Sequence, residues 1–398
     1  MNKYPITLLI ALASVGSAFA GAFTTGDLVV ERVGSGGVTV LSSAATAVSV
    51  LEFNTSGTAI QTINLPTSGT NQVTDSGSAT SDGYLNYYNG NIAIPGYNAS
   101  SGTASVASGN TKVSTIIGLD GNVASRTLFP TGGPSGTPPS PFSGNNFRSV
   151  VPTSATTFYA TGTSSGNPNT GGAWYYDGSA FTQVSSTATG QPTNLRNVDI
   201  YGGQLFATSA ASTGYGIWSI GTGTPTASGQ TSSLIINTGT GASPYGFVLF
   251  DTNADTVLDT AFIADDRTTT GGGLQKWTLS NSTWSNVYSL LVGPSGNLSS
   301  TLGVGYAGPR GLAGSYDLVT GAFSLYLTTT QLSDNKLIKI IDSGSTPTSY
   351  TELANAGVNY AFRGVDLIAS PIPEPSTYAA ILGGVALFGV AARRRRSV

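Results

Sequence analysis

Arg196-Asn197-Val198-Asp199-Ile200, Gln204-Leu205-Phe206-Ala207-Thr208, Gly216-Ile217-Trp218-Ser219-Ile220 and Leu234-Ile235-Ile236 follow one another with only small polar residues and glycines between them. Each run is short, alternates side-chain character and is rich in β-branched and aromatic residues, so the stretch reads as four consecutive strands. The same order recurs upstream. Arg148-Ser149-Val150-Val151 leads into Thr157-Phe158-Tyr159-Ala160-Thr161, then Gly172-Ala173-Trp174-Tyr175-Tyr176 and Phe181-Thr182-Gln183-Val184. Downstream, Arg310-Gly311-Leu312 leads into Phe323-Ser324-Leu325-Tyr326-Leu327, Lys336-Leu337-Ile338-Lys339-Ile340 and Ser349-Tyr350-Thr351-Glu352-Leu353. An arginine-less version begins at Tyr245-Gly246-Phe247 and continues through Leu274-Gln275-Lys276-Trp277-Thr278-Leu279 and Trp284-Ser285-Asn286-Val287-Tyr288. Four strands repeating about every 50 residues is the signature of β-propeller blades.

The two ends complete the pattern. Arg363-Gly364-Val365-Asp366-Leu367 is a first strand with nothing after it, whereas residues 27–33, 48–53 and 59–65 are later strands lacking a first. Pairing them removes a sheet edge and closes a ring. With residues 82–130 as a further unit, the pattern predicts an all-β fold: a single propeller of about six four-stranded blades, closed by its N- and C-terminal strands. A β-sandwich or a β-solenoid is the alternative. Residues 67–81 and 132–146, rich in Gly, Pro, Ser and Thr, are expected to be loops.

Composition restricts the chemistry. The chain has 398 residues, with no cysteine and no histidine. Disulfides, thiolate nucleophiles, Ser-His-Asp triads and histidine-ligated metals are therefore excluded. Only 9% of residues are charged and 53 are glycine. Helix formers such as Glu, Lys and Gln are scarce, in keeping with strands and turns.

Both termini carry addresses. Met1-Asn2-Lys3, an apolar run over residues 6–15 and Ala18-Phe19-Ala20 form a secretory signal peptide, 1–20, read by the Sec translocon and signal peptidase. Residues 21–370 are the exported domain. At the other end, Pro371-Ile372-Pro373-Glu374-Pro375-Ser376 precedes an apolar segment, 378–392, and then Arg393, Arg394, Arg395 and Arg396. The apolar segment is expected to form a C-terminal hydrophobic helix that stops in the inner membrane, with the arginines held on the cytoplasmic side. At about fifteen residues it is short for a lasting span, and the logic parallels lipid-anchor signals whose hydrophobic tail is removed.

The triplet Pro373, Glu374 and Pro375, the short apolar segment and the arginine cluster together resemble the PEP-CTERM sorting domain of Gram-negative bacteria. The resemblance is confined to residues 371–398. It implies recognition of the triplet by an exosortase, a membrane-embedded processing enzyme, with the three residues acting as a substrate motif and not as catalysts. It further implies transient residence in the inner membrane, then release to the cell surface or the extracellular matrix, in a setting of exopolysaccharide and biofilm. Removing Lys3, the four tail arginines and Glu374 from the 16 basic and 19 acidic residues leaves 11 and 18, a net charge of −7. Such a domain has no bulk attraction for nucleic acid.

Candidate sites inside the domain are few, and no catalytic residue is assigned. Asp251, Asn253, Asp255 and Asp259 alternate in the manner of calcium-loop ligands. Thr256 stands where an EF-hand has glycine, and Phe262 where it has its bidentate acid. A hairpin turn stabilised by Asx hydrogen bonds accounts for the same residues. Trp174, Trp218 and Trp277 recur at one place in the unit, which suits packing between blades or, alternatively, a sugar-binding face. Arg148, Arg196, Arg310 and Arg363 either ring a central channel or each close a turn of their own blade. The resulting expectation is a non-enzymatic binding or structural protein of the matrix. The alternative is a secreted polysaccharide lyase or hydrolase with its site at the central mouth.

Overall fold

The computed structural model describes residues 20–133, 135–137 and 139–369. The signal peptide, the sorting motif and the expected C-terminal helix lie outside the described residues. Among the described residues no helix is long and apolar enough to cross a membrane.

The chain is built almost entirely of strands. The first eight are β1 (Leu28–Gly34), β2 (Ala45–Phe53), β3 (Ala59–Asn64), β4 (Thr74–Ser76), β5 (Asn86–Tyr88), β6 (Asn91–Tyr97), β7 (Lys112–Gly118) and β8 (Val123–Leu128), with one helical turn at Val106–Gly109. Three separate four-stranded sheets and one of five strands account for nearly all the rest. β9 (Phe147–Pro152), β10 (Phe158–Gly162), β11 (Gly172–Tyr176) and β12 (Phe181–Gln183) form one; β13 (Leu195–Tyr201), β14 (Gln204–Ala211), β15 (Gly214–Ile220) and β16 (Ser232–Asn237) the next. The five-stranded sheet holds β17 (Pro244–Phe250), β18 (Thr260–Asp265), β19 (Gly273–Ser280), β20 (Thr283–Val292) and the short β21 (Leu298–Ser299). β22 (Pro309–Asp317), β23 (Ala322–Thr329), β24 (Lys336–Asp342) and β25 (Thr351–Asn355) form the last of these. The final strand, β26 (Tyr360–Leu367), returns to the start of the chain and pairs antiparallel with β1.

All four separate sheets are antiparallel meanders, and the tandem order read from the sequence is reproduced in each. The early part of the chain differs. There one nine-stranded sheet runs β26-β1-β2-β4-β6-β7-β8, with β3 beside β2 and β5 beside β6. The cause is β4, which falls in the stretch expected to be a loop. Thr74, Asp75 and Ser76 pair with residues 45–47 of β2, and Thr74 also pairs with Tyr97 of β6. Four sheets therefore stand as distinct blades in a propeller-like arrangement, while hydrogen bonding merges the remainder. The expected count of about six blades does not appear as six separate sheets.

First strands of successive units pack on one another: β5 on β9, β9 on β13, β13 on β17, β17 on β22, β22 on β26 and β26 on β5. The core lies between sheets. Trp174, buried among Ala93, Tyr97 and Ile116 of the preceding unit, and Trp218, buried among Val151, Tyr159 and Ala173, fill these gaps. Each indole N–H donates to a carbonyl four residues back, Thr170 and Gly214 respectively, so the rings are satisfied as packing elements. Trp277 is half-buried against Phe206 and Ile217 of the neighbouring sheet.

Candidate functional site

The centre of the ring is made by one residue from each first strand. Arg148, Arg196, Arg310 and Arg363 come from β9, β13, β22 and β26, Tyr245 comes from β17, and Tyr84 precedes β5. Glycine follows this residue wherever backbones approach most closely. A Cβ at Gly311 would lie 2.6 Å from the Arg363 carbonyl oxygen, and one at Gly364 would lie 2.7 Å from the Leu85 nitrogen.

Arg148, Arg196 and Arg363 do not close turns of their own units, as one sequence reading had it; Arg310 does so in part, its Nη1 donating to the Thr330 carbonyl just after its own second strand at 3.2 Å. Arg148 Nη1 donates to Asn194 Oδ1 and to the Leu195 carbonyl (3.0 Å), at the start of the next sheet. Arg196 Nη1 reaches Ser243 Oγ (2.9 Å) and the Pro244 carbonyl (3.0 Å), again one sheet on. Arg310 pairs with Asp266 of the preceding sheet at 3.0 Å, and Arg363 Nη2 donates to the Gly77 carbonyl at 2.8 Å. They ring the centre, yet each commits a terminal guanidinium nitrogen to a neighbouring segment, while Nε of Arg148 and of Arg363 is buried without a partner among the described residues.

Between them the two tyrosines stack, with ring centroids 5.8 Å apart, and the Arg196 guanidinium lies 3.8 Å above the Tyr245 ring. Tyr84 is 2% exposed and Tyr245 5%, so the stack fills the middle of the channel. Burial holds the Tyr84 hydroxyl well above its ordinary titration range.

Behind Arg363 lies a cluster of acids that sequence reading missed. Glu31 on β1, Asp75 on β4 and Asp82 are all essentially inaccessible to solvent. Asp82 accepts from the Tyr97 hydroxyl at 2.6 Å and from Asn146 Nδ2 at 2.9 Å. Among the described residues no donor reaches either Glu31 oxygen, nor Asp75 Oδ2. Glu31 instead lies within hydrogen-bonding reach of the Asp75 carboxyl, a contact that requires a proton between them. Burial, only partly offset by Arg363, pushes Glu31 up to about 8. Asp75 is likewise raised well above the carboxylate range, by burial and then by the charges of Asp82 and Glu31.

A second acidic pair sits toward the other end of the channel. Asp199 and Asp366 each lie three residues beyond a central arginine. Asp366 accepts from the Tyr87 backbone N–H at 2.6 Å, and its side chain touches solvent at the mouth although its surroundings desolvate it and raise it to about 7. Asp199 is raised by burial and by the charge of Asp366. Tyr87 also donates its hydroxyl to the Ala369 carbonyl at 2.9 Å, which pins the root of the C-terminal tail.

Asp251, Asn253, Asp255 and Asp259 fall in the turn between β17 and β18. Asp251 accepts backbone N–H groups from Asn253, Asp255 and Thr256, Asn253 Oδ1 accepts that of Asp255, and Asp255 accepts that of Val257. Asp259 is held by the hydroxyls of Thr252 and Thr260. These are the Asx hydrogen bonds of a turn. Among the described residues no three acids converge as a ready metal site. Two concavities, each of about 310 Å³, lie away from the centre: one lined by Leu128, Phe129, Tyr176 and Phe181, the other by the turn after β24.

The PEP-CTERM protein-sorting motif matches residues 371–396, so the tail is that of an exported protein directed to an exosortase. No curated protein sequence matches the chain. Among solved structures, a quinonprotein alcohol dehydrogenase-like protein from Bacteroides thetaiotaomicron is 9% identical, over 86% of this chain and 91% of that one, with a TM-score of 0.38. The hemagglutinin-neuraminidase ectodomain of parainfluenza virus 5 is 9% identical, over 84% and 83%, also at 0.38. Likenesses this distant carry no argument about activity.

Proposed function

We propose that the chain is an exported, exosortase-processed matrix or surface protein with a non-enzymatic binding or structural role, built as six four-stranded units. In this reading the nine-stranded sheet is two units, β26-β1-β2-β3 and β5 to β8, stapled together by β4. The closed cycle of packing between first strands supports the count. The observation that carries the non-enzymatic role is the filled centre: the Tyr84–Tyr245 stack occupies the place where a propeller enzyme would admit substrate, and the arginines are committed to backbone carbonyls and Asp266. Incubating residues 21–369 with a panel of bacterial polysaccharides is expected to release no product. Product from any polymer overturns the reading in favour of a lyase or hydrolase.

The tail supports processing at the membrane. Replacing Pro373, Glu374 and Pro375 by alanine is expected to leave the tail uncleaved and the protein in the inner membrane, as read by mass and fractionation. Normal processing of that variant would refute the assignment.

The Asp251 turn supports a second, separate reading as a weak calcium loop. Its donors are hard oxygens spaced two apart, and its fourth and sixth positions, Ala254 (φ 60°) and Thr256 (φ 73°), take the left-handed conformation that an EF-hand gives to glycine at the sixth. Millimolar calcium is expected to raise the melting temperature of the wild type and not of Asp251→Asn. Equal melting with and without calcium returns the loop to a plain turn.

A further inference from the structure

Each unit is an antiparallel meander, so turns joining first to second and third to fourth strands emerge on one face of the ring. First strands run the same way around the centre: Tyr84 bridges Ser149 in parallel, and the central arginines and tyrosines form one layer. The tail leaves on this same face. Gly26 N–H donates to the Ile368 carbonyl and Ile368 N–H to the Asp27 carbonyl, just before β1, and Ala369 is pinned by Tyr87.

The charged residues in the turns of this face are all acidic, and Lys339 lines the concavity beneath the turn 343–350. Asp120, Asp177 and Asp255 stand exposed in three of the face's turns and Asp317 at the edge of a fourth, with Asp251 and Asp259 beside them and Asp366 at the channel mouth. Among the described residues, none of the turns on this face (54–58, 89–90, 119–122, 153–157, 177–180, 202–203, 221–231, 251–259, 281–282, 318–321 and 343–350) contains a lysine or arginine. The central arginines lie toward the other end of the first strands, and Arg267, Lys112 and Lys336 likewise sit at strand ends on the opposite face.

Covalent geometry then sets a distance. Four residues separate Ala369 from Pro373, so the processing motif lies at most about 14 Å from the pinned root; nine residues, about 30 Å, separate that root from Tyr378, where the apolar segment begins. The acidic face is thus tethered within a few screening lengths of the bilayer, the Debye length being about 8 Å at physiological salt. Anionic lipid gives such a surface a negative potential.

We propose that the face with acid-only turns is the membrane-facing side of the tethered protein and that its repulsion from anionic lipid holds the folded ring off the bilayer. The proposal rests on the sorting-tail reading. The same repulsion favours departure once the tail is cut.

The chain has no cysteine, so single labels are clean. The full chain carrying Ser345→Cys on the acidic face, or Val38→Cys on the opposite face, is reconstituted into vesicles with an acceptor dye at the lipid surface. The Ser345→Cys label is expected to lie nearer the lipid than the Val38→Cys label. With about one-third anionic lipid it should stand further off than on neutral lipid, by roughly one Debye length, about 8 Å. That increment should vanish in high salt and in the variant Asp120→Asn, Asp177→Asn, Asp255→Asn, Asp317→Asn, whose amides still accept the turn hydrogen bonds. A nearer Val38→Cys label, or a distance indifferent to lipid charge and to the four substitutions, overturns the proposal. Failure of the chain to associate with neutral vesicles overturns the tail reading, and this one with it.

Discussion

Two kinds among the seams that join neighbouring units stand in contrast. In three of them a threonine on the second strand donates its hydroxyl to the carbonyl of the next unit's central residue: Thr161 to Arg196 at 2.6 Å, Thr208 to Tyr245 at 2.7 Å and Thr328 to Arg363 at 2.6 Å. These seams are neutral and self-sufficient. In β1, the strand that closes the ring, the same place holds Glu31, set against Gly83 and Arg363. A carboxylate has no proton to donate, so this seam works only when Glu31 or Asp75 is protonated or when Arg363 compensates both. Three seams are thereby insensitive to pH, while the one between the unit built from the chain's two ends and the unit that follows it titrates.

Removing the compensating charge should produce the largest effect. Arg363→Ala leaves Glu31 and Asp75 buried without their compensating cation and is expected to cost ~3–5 kcal/mol at pH 8. Much of that loss should return at pH 5, where Glu31 holds its proton, as read by urea unfolding at both values. A pH-independent loss would show that Arg363 acts by packing alone.

The next effect isolates the proton. Glu31 titrates at 4.5 when unfolded and about 8 in the fold. Between those values the folded state holds a proton that the unfolded state has released, so stability falls as pH rises, by ~1.4 kcal/mol per pH unit before coupling to Asp75 reduces it. Glu31→Gln supplies a permanent donor. It should match the wild type near pH 4.5 and exceed it by a few kcal/mol at pH 8. Parallel stability curves for the two proteins would refute a shared proton.

Breaking a neutral seam should matter less. Thr208→Val strands the Tyr245 carbonyl and is expected to cost ~1–2 kcal/mol, equally at pH 5 and pH 8. Smallest of all, and outside either seam, Thr256→Gly relieves a left-handed threonine and should stabilise the fold by ~1 kcal/mol. Destabilisation there would mean that the threonine side chain contributes a contact of its own.

Much of this comparison was legible in the sequence. The recurring x-Arg-x and its tyrosine variant at Tyr245 marked the central layer, and Arg363 without following strands marked the closure. Tyr84, the second tyrosine of that layer, escaped notice because it follows a stretch of Gly, Ser and Thr that reads as a loop. β4 escaped for the same reason: three residues are too few for an alternation to register. Glu31, Asp75 and Asp82 carry no motif, since each is a single acid in an otherwise ordinary run. They meet only because β26 returns to β1 and β4 bridges β2 to β6.

The sequence by itself determined the tandem antiparallel strands and the sorting tail. Alternation and turn chemistry act over a few residues, and a sorting signal is a linear motif read by other proteins. Tertiary structure alone decided what the recurring residues do. It turned the arginines toward neighbouring sheets, stacked two tyrosines across the channel, buried three acids around one guanidinium and gathered aspartates from separate turns onto the face where the tail leaves. Those outcomes depend on ring closure between residues hundreds of positions apart, and no local pattern encodes which side chains will face one another when the ends meet.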